Sequence, residues 1–314
     1  MLKKGSKGQA VKSLQSFLGV NADGVFGNET ENAVKEFQKQ FNLRPDGVVG
    51  KETYEALGIL TTDISENCDN EDDTIIKNYF LPENEYFKSV QKKNWVFLHY
   101  TAGGSNPFKV VDNWARDNRG RVGTEFVIGG QSVSGNDTKY DGVIVRAIPE
   151  GGYGWHLGIG NNELHRNSIG IEICSMGYLT KGGYWTRLTR NGETKRVFIK
   201  KNPESFYTYT GVEAHKSQIL ILEEPFLGHI AWHKFSDKQL SSVQNVLELI
   251  EKRDGIDIRK GLPEMIKKEG WKAFANRNLS FIERNYGIYS HTNASVQKLD
   301  VFPQPELIEL LTTL

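Results

Sequence analysis

The sequence of 314 residues has two cysteines, Cys68 and Cys174, and no CxxC pair. That excludes a disulfide framework and a cysteine-built metal or redox motif, and two unpaired thiols are expected. Net charge is absent as well, with 39 basic against 39 acidic side chains. Without a broad positive field the chain lacks the usual source of nucleic-acid affinity, so no nucleic-acid partner is expected. No stretch is apolar enough to span a bilayer, and no membrane insertion is expected. The start, Met1 to Gly8, is basic and then polar. It lacks the apolar core and small-residue cleavage site of a secretory signal, so synthesis is expected to end in the cytoplasm unless another route exports the protein. What is present, 38% apolar and 25% charged residues, is a globular composition, long enough for two domains of about 150 residues each.

The clearest internal signal is a repeat. Asp23-Gly24-Val25-Phe26-Gly27-Asn28-Glu29-Thr30 returns 23 residues later as Asp46-Gly47-Val48-Val49-Gly50-Lys51-Glu52-Thr53. Each copy reads as a glycine turn leading into a helix, with Thr30 or Thr53 placed to cap free amides. Val11, Leu14, Phe17 and Leu18 share one helical face, as do Ala33, Val34, Phe37 and Phe41, which predicts three short helices around one small core. These features, with Gly8 to Gln15 and Ala33 to Gln38, resemble the three-helix peptidoglycan-binding module over residues 2 to 59. The resemblance implies wall binding, with an inert spacer as the alternative.

From Thr61 to Ile76 the chain carries Asp63, Glu66, Asp69, Glu71, Asp72 and Asp73 with no basic residue. It reads as part of a solvated acidic linker over 61–85, without the spacing of an EF-hand. Beyond it, Asn94 to Tyr100 is a continuous apolar and aromatic run, the pattern of a strand buried on both faces. A helix around Phe108, Val111 and Trp114 and strands near Phe126 to Ile128 and Val143 to Ile148 follow, and a further helix is predicted through Leu240, Val243, Val246, Leu247 and Ile250. This alternation predicts an α/β unit over 86–314, a sheet covered by helices.

In Ser168-Ile169-Gly170-Ile171-Glu172-Ile173-Cys174, alternation sends the three isoleucines to one face and Ser168, Gly170, Glu172 and Cys174 to the other. Glu172 therefore faces a surface with small neighbours. Seven histidines accompany it: His99, His156, His165, His215, His229, His233 and His291. His99 ends the buried strand, where ligands gather in open sheets. Near the carboxyl terminus His291 precedes Lys298 and Asp300, whose side chains share one side if that stretch is extended. Two imidazoles and a carboxylate make a catalytic zinc site with one position left open, although spacing alone does not select these three. A competing pair, His229 and His233, would share one face of a helix, but lacks the glutamate of a zinc-peptidase signature.

Residues from about 94 to 311 resemble the zinc-dependent N-acetylmuramoyl-L-alanine amidases of the phage-lysozyme type, whose fold is shared with peptidoglycan recognition proteins. The matching stretches are Val96 to Gly103, Gly154 to Gly158, Asn167 to Ile173 and His291 to Asp300. The resemblance implies a central mixed β-sheet flanked by helices, with Zn²⁺ as the cofactor and peptidoglycan as the partner of a monomer. By that pattern His99, His291 and Asp300 are the zinc ligands. Glu172 is the water-activating base, Lys298 the oxyanion partner, and His156, Trp155 and Thr101 line the substrate groove. The implied reaction cleaves the amide between N-acetylmuramic acid and L-alanine, at the cell wall after lysis, holin release or delivery by an injection apparatus. A non-catalytic recognition protein and a zinc stem-peptide endopeptidase remain the alternatives.

Two departures stand out. Thr124 occupies the position where some family members carry a catalytic tyrosine, leaving the role to Glu172, with Glu125 a nearby rival. The interval from Cys174 to His291 is long for this family and predicts an insertion around 176–235, with a hairpin at Arg190 to Glu193. Its Tyr184, Trp185, Phe206, Tyr207 and Tyr209 form either a sugar-binding wall or the insertion's own packing.

Overall fold

The computed structural model describes residues 2–40, 43–50, 53, 76–190 and 193–314. The chain divides into two compact units, Met1–Asp73 and Thr74–Leu314. Phe41, most of the third predicted helix, Cys68 and the acidic run up to Asp73 lie outside the described residues.

The amino-terminal unit contains α1 (Gln9–Leu18) and α2 (Asn28–Gln40). Val11, Leu14, Phe26, Val34 and Val49 form its core. Its repeat is a repeat of polar nodes as well. The Gln15 side-chain amide lies 2.8 Å from Asp23 Oδ1, 3.0 Å from the Val25 carbonyl and 2.9 Å from Thr30 Oγ1, while its Oε1 accepts from the Gly24 amide. Gln38 makes the same set with Asp46, Val48, Thr53 and Gly47. Each threonine hydroxyl thus accepts from one of these glutamines; Thr30 lies within α2 and not at its cap, while the stretch following Thr53 lies outside the described residues. Gly24 and Gly47 have φ of 78° and 74°, a conformation that a side chain would strain.

The carboxyl-terminal unit contains β1 (Ile76–Asn78), β2 (Trp95–Tyr100), α3 (Pro107–Trp114), β3 (Phe126–Ile128), β4 (Ile144–Arg146), α4 (Asn162–Arg166) and β5 (Ser168–Ile173). Next come β6 (Tyr178–Lys181), β7 (Gly183–Arg190), β8 (Glu193–Lys200), β9 (Phe206–Tyr207), β10 (Ile219–Phe226) and β11 (His229–His233). It closes with α5 (Asp237–Asp254), α6 (Leu262–Glu269), α7 (Leu279–Ile282), β12 (Gly287–Ser290), α8 (His291–Ala294) and α9 (Pro305–Thr313).

Six strands form the central sheet in the order β1-β4-β3-β5-β2-β12. It is mixed, because β3 and β4 pair antiparallel while β3, β5, β2 and β12 run parallel. Alternation sorts its two faces. Ile169, Ile171 and Ile173 join Leu240, Val243, Val246, Leu247 and Ile250 of α5 in the main core. Val127 and Val145 pack with Val111 of α3 in a second cluster, where the buried free thiol of Cys174 also lies. α5 begins at a capping box, Ser236 with Gln239, and ends at Gly255 in the left-handed conformation. Residues 178–233 build a separate antiparallel sheet, β10-β11-β6-β9, and the β7-β8 hairpin. The hairpin is paired out to Arg190 and Glu193, while Asn191 and Gly192 at its tip lie outside the described residues.

Candidate metal centre

Three adjacent parallel strands, β5, β2 and β12, bring their carboxyl ends together. His99 of β2 is in register with Glu172 of β5, and Leu98 with Ser290 of β12. Ser290 caps α8, and the turn it starts holds His291 in the buried interior beside His99. Asp300 returns to the same point, its backbone carbonyl accepting from both the amide and the hydroxyl of Thr292 at 2.7 and 2.8 Å. His99 Nδ1 and His291 Nδ1 are 2.8 Å apart, and Asp300 Oδ2 lies 3.2 Å from the first and 2.8 Å from the second. All three residues are buried.

Hydrogen-bond direction gives these atoms a character that distance alone does not. His291 Nε2 lies 2.7 Å from the Leu157 carbonyl, which can only accept, so Nε2 carries a proton and Nδ1 is the nitrogen that can offer a lone pair to the interior. Asp300 is held well below the usual carboxylate range: burial opposes its charge, but the His291 and His99 rings beside it outweigh that. Burial, and then the neighbouring His291, lower His99 to about 4. A lone pair and a carboxylate oxygen therefore face each other in a dry place, an arrangement that calls for a cation between them. The three residues could hold a metal ion.

Glu172 stands at the edge of this centre, partly accessible, with Oε2 buried and without a hydrogen-bond partner among the described residues. Burial, then Asp300, push its carboxyl up to about 8, against the pull of Lys298. Lys298 lies in an irregular stretch after a turn at 296–297, not in a strand, with its chain close to Gly158. His156 reaches His99, Nδ1 to Nε2 at 3.0 Å. Trp155 packs edge-on against Phe87 and His165, and Thr101 lines an open groove of about 760 Å³ beside α3.

Other candidates are placed elsewhere. Glu125 is buried in an ion pair with Arg253, at 2.5 Å, with Arg146 at 3.7 Å. It is therefore occupied by two guanidinium groups, and Thr124 is buried with its hydroxyl on the Phe126 carbonyl. His229 and His233 are on a strand, not a helix. At about 3.3 Å per residue, four positions separate them too widely to share an ion. His229 stacks on Tyr178 with ring centroids 3.8 Å apart, and His233 Nδ1 accepts from the Met176 amide at 3.0 Å. Of the five aromatic residues in the insertion, Tyr209 lines the groove and donates to the Ala102 carbonyl at 2.8 Å. Tyr207 is buried, Phe206 packs in the insertion's own small core, and Trp185 lies against Phe198 and Arg196. Phe206 and Tyr207 thus take the packing alternative, Tyr209 faces the groove, and Trp185 stays partly exposed. Ser168, which holds His156 at 2.9 Å, escaped the sequence reading. Its signal was present: it shares the face of Glu172 in the alternation of β5.

Comparison with known proteins adds two family matches. The N-acetylmuramoyl-L-alanine amidase family matches residues 89–298, and the peptidoglycan binding domain family matches residues 8–57. No curated protein matches the chain. Among solved structures, PlyL is similar at 14% identity and a TM-score of 0.33, covering 59% of this chain and 77% of that one. The catalytic domain of XlyA gives 14% and 0.30, covering 58% and 79%. The E. coli amidase AmiD, in complex with anhydro-N-acetylmuramic acid-L-Ala-D-gamma-Glu-L-Lys, gives 17% and 0.29, covering 55% and 48%.

Proposed function

Because the chain belongs to the N-acetylmuramoyl-L-alanine amidase family, we propose that it cleaves the amide between N-acetylmuramic acid and the L-alanine of the stem peptide, with zinc held by His99, His291 and Asp300. The observation that carries this reading is the convergence of three electron-pair donors beside one unpaired glutamate. Two imidazole nitrogens and a carboxylate suit zinc, which when bound supplies Lewis acidity at neutral pH.

The remaining chemistry belongs to side chains. Glu172 Oε takes a proton from the attacking water and returns it to the departing alanine nitrogen, so one carboxylate serves as base and then as acid. The Lys298 ammonium stabilises the negative charge developing on the carbonyl oxygen. Of the three residues assigned to substrate binding, Thr101 lines the groove beside α3, where the substrate would lie, while Trp155 and His156 are not part of that lining. The amino-terminal module, 1–60, binds the wall and raises the local concentration of the catalytic unit, 74–314, whose sheet takes in β1 ahead of the boundary expected at 86. The protein acts as a monomer on peptidoglycan, at the wall. Among the described residues no helix is long and apolar enough to cross a membrane.

Mass spectrometry of digested sacculi tests the reading. Glycan strands freed of intact stem peptides are expected. Split stems would reassign the chain as an endopeptidase, and undigested sacculi with the protein bound would make it a recognition protein.

A further inference from the structure

We propose that Ser168 and His156 form a hydrogen-bond relay that locks the tautomer of His99, so that Ser168-Ile169-Gly170-Ile171-Glu172 on one strand sets both the base and the aim of a metal ligand. The proposal rests on the zinc reading above and adds residues to which no role in metal binding has been given.

The relay starts from a carbonyl. The Ser168 hydroxyl bonds the Leu164 carbonyl, which can only accept, so the hydroxyl donates there and its oxygen is left to accept. His156 Nε2, 2.9 Å away, must then carry the hydrogen. A neutral His156 consequently presents a bare Nδ1, 3.0 Å from His99 Nε2, and can only accept from it. His99 is thereby protonated on Nε2 and turns its Nδ1 lone pair toward His291 and Asp300. Each step fixes the next, and the ligand pair of His99 is aimed from a serine on a neighbouring strand.

Geometry on β5 makes room for it. Ser168, Gly170 and Glu172 alternate onto one face. A methyl group on Gly170 would stand 2.4 Å from Thr124 Cγ2 and 3.1 Å from His156 Nδ1. The three positions thus act as anchor, gap and base. His291 receives the equivalent instruction directly, from the Leu157 carbonyl. Both rings are therefore oriented before a metal arrives, and His156 and Ser168 are positioning residues, not catalytic ones.

The test is Zn²⁺ affinity by chelator competition on the full chain, together with side-chain ¹⁵N–¹H NMR, which distinguishes the histidine tautomers. In the wild type His156 is expected as the Nε2–H tautomer. His156→Leu should weaken zinc binding roughly 10- to 100-fold, and Ser168→Ala should weaken it less while mixing the His156 tautomers. His156→Gln, whose amide can accept at one end and donate at the other, should recover most of the affinity. An Nδ1–H tautomer of His156 in the wild type, or His156→Leu binding zinc as tightly as wild type, would overturn the relay. If His156→Leu does not fold, the wild-type tautomer and Ser168→Ala still decide the matter. Absent zinc affinity in the wild type would instead sink the metal reading, so the two failures are distinct.

Discussion

Glu125 and Glu172 stand on or beside neighbouring strands, the first buried and the second partly accessible with one oxygen buried, and their company differs. Glu125 faces Arg253 and Arg146, and burial raises its carboxyl against the opposing pull of both guanidinium groups. Among the described residues Glu172 has no counter-ion within bonding distance, and it lies near the Asp300 carboxylate, with Lys298 only as a more distant offset. The first arrangement holds α5 to the sheet. The second keeps a proton available. Burial alone therefore does not mark a candidate catalytic acid; burial without a matched partner is the feature on which the proposed role of Glu172 rests.

The contrast breaks first under Glu172→Gln, which keeps shape and removes the proton carrier. Amide hydrolysis of muramyl peptides should fall by about 100- to 10,000-fold, with bound zinc, measured by atomic emission, unchanged. Full activity in this variant would transfer the role elsewhere. Glu125→Gln should do the reverse, leaving two guanidinium groups without their carboxylate. A loss of about 3–5 kcal/mol in urea denaturation is expected, with the reaction intact in the fraction that remains folded.

A pH measurement sharpens the contrast further. In the metal-free protein Glu172 has its pKa raised from 4.5 to about 8, and His99 has its pKa lowered from 6.5 to about 4. Between 4.5 and 8 the folded state holds the extra proton on Glu172, so stability falls as pH rises through that range. Between 4 and 6.5 the unfolded state holds the extra proton on His99, so there stability rises with pH. From about 6.5 to 8 the Glu172 contribution stands clear of His99. Wild type should lose stability over that interval relative to Glu172→Gln, as denaturation at both ends would reveal; parallel curves would refute the assignment. The smallest effect concerns the two arginines. Arg146 is 3.7 Å from Glu125 against 2.5 Å for Arg253, and its Nε has no hydrogen-bond partner among the described residues. Arg146→Met should therefore cost less than Arg253→Met in the same denaturation assay.

Local pattern carried much of this fold. The run from Trp95 to Tyr100 is a buried strand, the spacing of Leu240 to Ile250 is the buried face of α5, and alternation in β5 separates Glu172 from the isoleucines. Pairings across long separations were illegible. His99 meets His291 across 192 positions and Glu125 meets Arg253 across 128, and no periodicity encodes such encounters. The family resemblance named the three ligands; composition and spacing did not. His229 and His233 show the opposite failure. A four-residue spacing fits a helix, but Ile230 and Trp232 between them sit in a strand paired with β6 and β10, where tertiary context overrides the spacing.

In the amino-terminal unit, Gln15 and Gln38 each fasten a turn using protein atoms alone. On the proposed reading, the fold that would attach the protein is held by amides and hydroxyls, whereas the cutting would depend on an ion. Starved of zinc, such a protein would stay moored and dormant, and would reawaken in place when the metal returned, without having to find its target again.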